Sequence, residues 1–102
     1  MIHVIAVITT LPGKREQVLD EFKKLVPLVH AEQGCIEYQP IVDATSVGDF
    51  QTALGSDTYI VVEKWETLQD LEAHSKAPHM AAYGEKMGAF IADRKIHVLS
   101  NA

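Results

Sequence analysis

A single cysteine, Cys35, stands in a chain of 102 residues. That excludes an internal disulfide framework and any cysteine-based zinc knuckle. Positive charge is scarce as well: 9 Lys and Arg face 14 Asp and Glu, a net charge of −5 with neutral histidine. The basic residues are scattered, with adjacent pairs at Lys14-Arg15, Lys23-Lys24 and Arg94-Lys95, so neither a nucleic-acid nor an anionic-membrane partner is expected. No apolar run approaches the ~20 residues that cross a bilayer. The opening Met1-Ile2-His3-Val4 lacks the basic and long apolar regions of a signal peptide. Walker loops, GxGxxG and GxSxG are absent, which argues against nucleotide cofactors and serine-hydrolase chemistry. The expectation is one cytoplasmic domain spanning residues 1–102.

What is present is hydrophobic periodicity. Ile2 to Thr10 is rich in β-branched residues and ends at Leu11-Pro12-Gly13, a strand followed by a turn. From Lys14 to about Glu32, Val18, Phe22, Leu25/Val26 and Val29 recur at steps of three and four, the pattern of an amphipathic helix. Pro27 lies inside it and predicts a kink, because proline removes the amide that would bond the carbonyl of Lys23. Cys35 to about Val42 reads as a second strand, with Pro40 marking an edge or a bulge. Asp43 to Asp57 reads as a long loop, with room for short strand ends around Phe50 to Leu54. Thr58 to Trp65 is the strongest strand. Thr67, with Asp70 three residues on, caps a short helix. Pro78 breaks that helix and opens another, whose buried stripe is Met80, Tyr83, Met87 and Phe90/Ile91. Lys95 to Ser100 is a final strand.

The order β-α-β-β-α(α)-β is the split βαβ arrangement of a ferredoxin-like α+β sandwich, with helices on one face of an antiparallel sheet. A sheet with one solvated face alternates apolar and polar residues. Here Ile5 and Val7 oppose Ile2, Val4, Ala6 and Ile8, while Ile60 and Val62 oppose Tyr59 and Val61. Both faces are apolar, so a homodimer packed sheet to sheet is expected.

Glu63 and Trp65 share a strand face by the period-2 rule. If that face meets the helices, a carboxylate lies in an apolar interior, tied by a structural hydrogen bond to backbone or histidine, or poised for proton transfer. Trp65 is either core or a wall on which a flat aromatic substrate stacks. His74 and His79 flank the Pro78 break, where they can serve as acid or base, or cap helix carbonyls. Met80, Tyr83, Met87 and Phe90 are core first, but also suit a deformable wall for an apolar ligand. No His-x3-His or Glu-x-x-His spacing lies on a continuous helix, so no metal site is expected. Cys35 lacks a neighbour that would depress its pKa and reads as a small hydrophobe.

The chain resembles the antibiotic biosynthesis monooxygenase family of dimeric α+β barrel proteins, and within it the bacterial quinol monooxygenases. The resemblance is carried by Pro12-Gly13-Lys14, Glu32-Gln33-Gly34-Cys35 with Tyr38, Val62-Glu63-Lys64-Trp65, Leu71-Glu72-Ala73-His74 and Ser75-Lys76-Ala77-Pro78-His79-Met80. It implies a cofactor-free oxygenase of small phenols or quinols, taking dioxygen, with the substrate between helices and sheet. It assigns the family's strand tryptophan and glutamate to Trp65 and Glu63 and its two histidines to His74 and His79. The chain departs from the family's antibiotic-oxidising and haem-degrading branches, which use a pocket asparagine: Asn101 is its only asparagine. Where the haem branch places an axial histidine this chain has Tyr83, which disfavours haem oxygenation. The expected roles are His74 as base or its orienter, Trp65 as stacking wall, and Tyr83 and His79 as donors to the substrate oxyanion. The rival is a non-oxidative isomerase, lyase or ligand-binding module on the same scaffold. An isomerase of phosphorylated sugars needs Arg or Lys converging on the pocket. The candidates Lys64, Lys76, Lys86, Arg94 and Lys95 are mostly expected on the surface.

Overall fold

The computed structural model describes residues 1–102. Four strands, β1 (Ile2–Thr10), β2 (Cys35–Ile41), β3 (Thr58–Trp65) and β4 (Ile91–Leu99), form one antiparallel sheet in the order β2-β3-β1-β4. Helices α1 (Arg15–His30), α2 (Leu68–Ser75) and α3 (Pro78–Met87) lie on one face, and a 3₁₀ turn (Gly88–Phe90) leads into β4. This is the α+β ferredoxin-like arrangement that the order of elements predicts.

Local chemistry accounts for the boundaries. α1 runs through Pro27 to its end. Thr67 caps α2 by accepting the Asp70 amide on Oγ1 at 3.1 Å, and Pro78 occupies the first turn of α3. Gly34 adopts φ +79°, and a Cβ there would collide with the Asp70 carboxylate. Only glycine allows the chain to leave α1 so close to α2. β2 is an edge strand, so Pro40 costs no ladder bond on its free side, but the irregularity in its pairing falls between Cys35 and Glu37 instead.

Three expectations are corrected. The Asp43–Asp57 loop has no strand around Phe50, which is exposed. Instead the Asp43 carboxylate closes the loop by accepting the amides of Leu54 and Gly55 and the side chain of Gln51. β4 begins at Ile91 rather than Lys95, because its ladder with β1 extends to Thr10↔Ile91. Phe90 and Ile91 therefore leave the α3 stripe, of which only Met87 is fully buried, while Met80 and Tyr83 pack at the core's edge.

The core lies between helices and sheet. Val4, Ala6 and Ile8 of β1 and Tyr59, Val61 and Trp65 of β3 meet Val18, Phe22, Leu25 and Val29 of α1. Two surfaces remain uncovered. The helices do not extend over β4, so its helix-side residues Ile96 and Val98 are 57% and 50% exposed. On the opposite face Ile5, Val7, Ile60 and Val62 are only half-buried, with Ile41 and Leu99 exposed beside them. No helix is long and apolar enough to cross a membrane.

Candidate active site

Because the helices stop short of β4, a cavity of about 540 Å³ opens between the sheet and α2–α3. That volume suits a small organic ligand. Of its 21 lining residues 15 are hydrophobic. The others include His74, Glu63 and Arg94, and three of the hydrophobic ones, Tyr38, Tyr59 and Tyr83, carry hydroxyls.

Strand parity and helix phase place each of them. Val4↔Glu63 and Ile2↔Trp65 are partners in the β1–β3 ladder, so Glu63 and Trp65 do face the helices. His74 sits in the last turn of α2, buried at 5% exposure. Its ring packs on Trp65, with centroids 4.7 Å apart, and edge-on to Tyr38 at 5.3 Å. Nδ1 of His74 reaches the Glu32 carboxylate at 2.9 and 3.2 Å. A carboxylate accepts, so Nδ1 donates, and the neutral ring then carries its lone pair on Nε2. Nε2 has no partner within the protein, and no buried side-chain nitrogen or oxygen goes unpaired. It therefore meets accessible space, which at His74 is the cavity.

Glu32 also accepts from Nε2 of His79 at 2.8 Å. It is the residue that a search for catalytic side chains overlooks. Its signal is electrostatic: a carboxylate two residues past the end of α1 meets the negative end of the helix dipole and needs donors to hold it there. His79 is consequently spent on Glu32 and does not line the cavity, contrary to a role as oxyanion donor. The helix-capping alternative for His74 gives way to the same carboxylate.

Glu63 is 7% exposed and accepts the Trp65 indole N–H on Oε1 at 3.0 Å. The structural bond expected for Glu63 thus exists, but its donor is Trp65. Burial pushes the Glu63 carboxyl above the ordinary carboxylate range, against the indole bond and the nearby His74, which act to lower it. Trp65 itself is 0% exposed, so it forms the floor beneath His74 rather than a wall open to substrate. Met80 and Tyr83 line the cavity, whereas Met87 and Phe90 lie outside it. The Tyr83 and Tyr59 hydroxyls are 3.5 Å apart. Burial raises both phenols above their usual pKa, which keeps them protonated as donors. Burial and the Glu32 and Glu63 carboxylates raise the Cys35 thiol too, which disfavours its thiolate. No group of three or more His, Cys, Asp or Glu is arranged to hold a metal ion.

The raised Glu63 pKa fixes the sign of a stability effect. The folded chain keeps a proton there that the unfolded chain releases from about pH 4.5 upward, so this group's contribution weakens as pH rises from there through the folded pKa. Glu63→Gln keeps an acceptor for the indole and removes the titration. Thermal melts of both proteins across this range should show the variant gaining on wild type as pH increases. A gap that moves the other way would mean that the ionised carboxylate is stabilised by its surroundings.

The family model for antibiotic biosynthesis monooxygenase matches residues 1–86. The chain belongs to this family. It is 42% identical over 101 residues to a protein of Escherichia coli strain K12 named "Probable quinol monooxygenase YgiN", with 97% of this chain and 96% of that one covered. Among solved structures, PA3566 from Pseudomonas aeruginosa is similar with a TM-score of 0.82 at 27% identity, covering 99% of this chain and 93% of that one. A conserved protein from Methanosarcina mazei Go1 shares the fold at 18% identity, with a TM-score of 0.83 and coverage of 99% and 92%. Family membership makes this a monooxygenase, and the matched residues hold Glu32, Glu63, Trp65, His74 and His79 together.

Proposed function

We propose that the chain is a cofactor-independent monooxygenase of small phenols or quinols, with His74 as general base. The observation that carries this reading is the Glu32–His74 pair at the edge of a mostly apolar cavity, one imidazole nitrogen held and the other unpartnered. Nε2 of His74 takes a phenolic proton, and Glu32 stabilises the imidazolium that results. The Tyr83 and Tyr59 hydroxyls are donors at the other end of the cavity, where they meet a substrate oxygen remote from His74 rather than the oxyanion formed beside it. The electrons come from the substrate. The quinolate reduces dioxygen and a carbon–oxygen bond forms at the ring carbon beside the oxyanion. Loss of that carbon's proton then breaks the O–O bond and releases water, so that one quinol and one dioxygen give one hydroxyquinone and one water. Glu63, carrying a proton more readily than an ordinary carboxylate, is suited to supply one to the departing oxygen.

Purified protein freed of metal and flavin should consume one dioxygen per menadiol. With ¹⁸O₂, one labelled atom should enter the product, 2-hydroxy-3-methyl-1,4-naphthoquinone. Menadione with hydrogen peroxide and no label in the ring would reduce the chain to a catalyst of simple oxidation. Binding without turnover would favour the rival, a ligand-binding module. A phosphorylated-sugar isomerase fits less well, since Arg94 is the only permanently charged cation lining the cavity.

The same reading includes a homodimer through the open face of the sheet. Ile5, Val7, Ile60 and Val62 form an apolar centre there, bordered by the Lys64–Glu37 pair at 3.7 Å. A second copy presents the same apolar centre and a rim of both signs, so the surface is self-complementary under a two-fold axis.

A further inference from the structure

The cavity has two chemically different ends. In the sheet, Glu63 pairs with Val4 of β1, whereas Tyr59 and Arg94 flank Ile8 from the two sides. Val4 and Ile8 are four residues apart, roughly 13 Å along a strand at ~3.3 Å per residue. His74 packs on Trp65, beside Glu63, and so belongs to the first end. Arg94 belongs to the second. Register with Ile8 turns it to the helix side, where it joins the cavity lining although it is otherwise exposed. Its guanidinium has no hydrogen bond or ion pair within the protein. It lies near enough to Tyr59 and Tyr83 to act on both phenols. Arg94 also lies beyond the residues matched by the family model.

An unpaired guanidinium on an otherwise apolar wall, with two phenolic donors nearby, is a carboxylate receptor: it offers a planar fork of donors at the point where the lining turns polar. We propose that Arg94, Tyr59 and Tyr83 form an anion-recognising end of the cavity, and that the aromatic substrate carries one acidic substituent at the end of its ring system remote from the hydroxyl facing His74. This rests on the proposed orientation of a phenol toward His74, and it narrows the substrate from phenols in general to hydroxyaryl carboxylates of extended shape. A net charge of −5 repels such an acid from the surface as a whole, so the preference has to come from this local cation.

Redox-inert ligands separate the inference from the oxygenase reading. Titration calorimetry would compare 2-naphthol, 6-hydroxy-2-naphthoate, whose two groups lie at opposite ends, and 3-hydroxy-2-naphthoate, whose groups are adjacent. The 6-hydroxy acid should bind about tenfold more tightly than 2-naphthol, a modest gain because Arg94 is partly solvated. The 3-hydroxy acid should show no such gain, and Arg94→Gln should cancel the preference. Equal affinities in wild type, an equal gain for both acids, or a preference that survives Arg94→Gln would each overturn the anion end and leave the phenol site standing. Failure of 2-naphthol itself to bind would remove the phenol site and the anion end together.

Discussion

Val62→Asp should abolish soluble folded protein, the largest effect expected of any single substitution on the open face of the sheet. Val62 lies at the middle of β3 on the face away from the helices, between Gln39 of β2 and Ile5 of β1. Sheet-to-sheet packing of two copies would bury an area of at least ~1,500 Å², in the range of stable interfaces. At ~25 cal/mol per Å² for the apolar part, the gain rivals the ~5–15 kcal/mol stability of a whole domain. A carboxylate at the centre of that contact would lose its water without gaining a partner, at a cost of several kcal/mol. The outcome is aggregation or loss of the protein, not a well-behaved monomer. Wild type offers an independent check: its unfolding midpoint should rise with protein concentration, as for any fold stabilised by its own association. A wild type that sediments as a stable monomer, or a soluble and folded Val62→Asp monomer, would refute the dimer.

His74→Ala should lower the rate of oxygen uptake with menadiol by about 10²–10⁴, the usual contribution of a positioned general base. The loss should fall on kcat, because removing the base leaves the apolar walls that bind the ring. The variant should still fold: Glu32 keeps its bond from His79, so no carboxylate is left unpaired. Circular dichroism and a melting curve would establish that before rates are compared. An uptake rate within tenfold of wild type would take proton abstraction away from His74. His79→Ala makes an instructive contrast. It touches Glu32 but not the cavity, so its effect on rate should be far smaller than that of His74→Ala.

Much of the fold is legible in the sequence because local patterns and long-range pairing agree. Thr58–Trp65 reads only as a strand, Thr67 and Pro78 start the helices that their chemistry predicts, and the steps of Val18, Phe22, Leu25 and Val29 mark the face of α1 that is buried. Local patterns mislead where pairing overrides them. The sequence pattern starts the last strand at Lys95, yet β1 recruits Ile91 to Arg94 into β4 as well, and that one extension places Arg94 against the cavity.

The site divides along the same line. Residue types and their family setting single out Glu63, Trp65, His74 and His79, but a side chain's role depends on which neighbour takes its hydrogen bonds. Glu32 and His74 are 42 positions apart, and no periodicity relates them. Their meeting required α1 to end beside α2, at the Gly34 turn. That contact assigns His79 to Glu32, leaves a nitrogen of His74 facing the cavity, and puts Trp65 beneath both Glu63 and His74 rather than against a substrate. The sequence by itself determined the order of elements, the two apolar faces of the sheet and the family, because these follow from periods of 2 and 3.6 residues and from short motifs. Only the tertiary structure decided which nitrogen is free, which aromatic ring is enclosed and which cation enters the cavity, because these depend on distances between segments that the chain brings together only by folding.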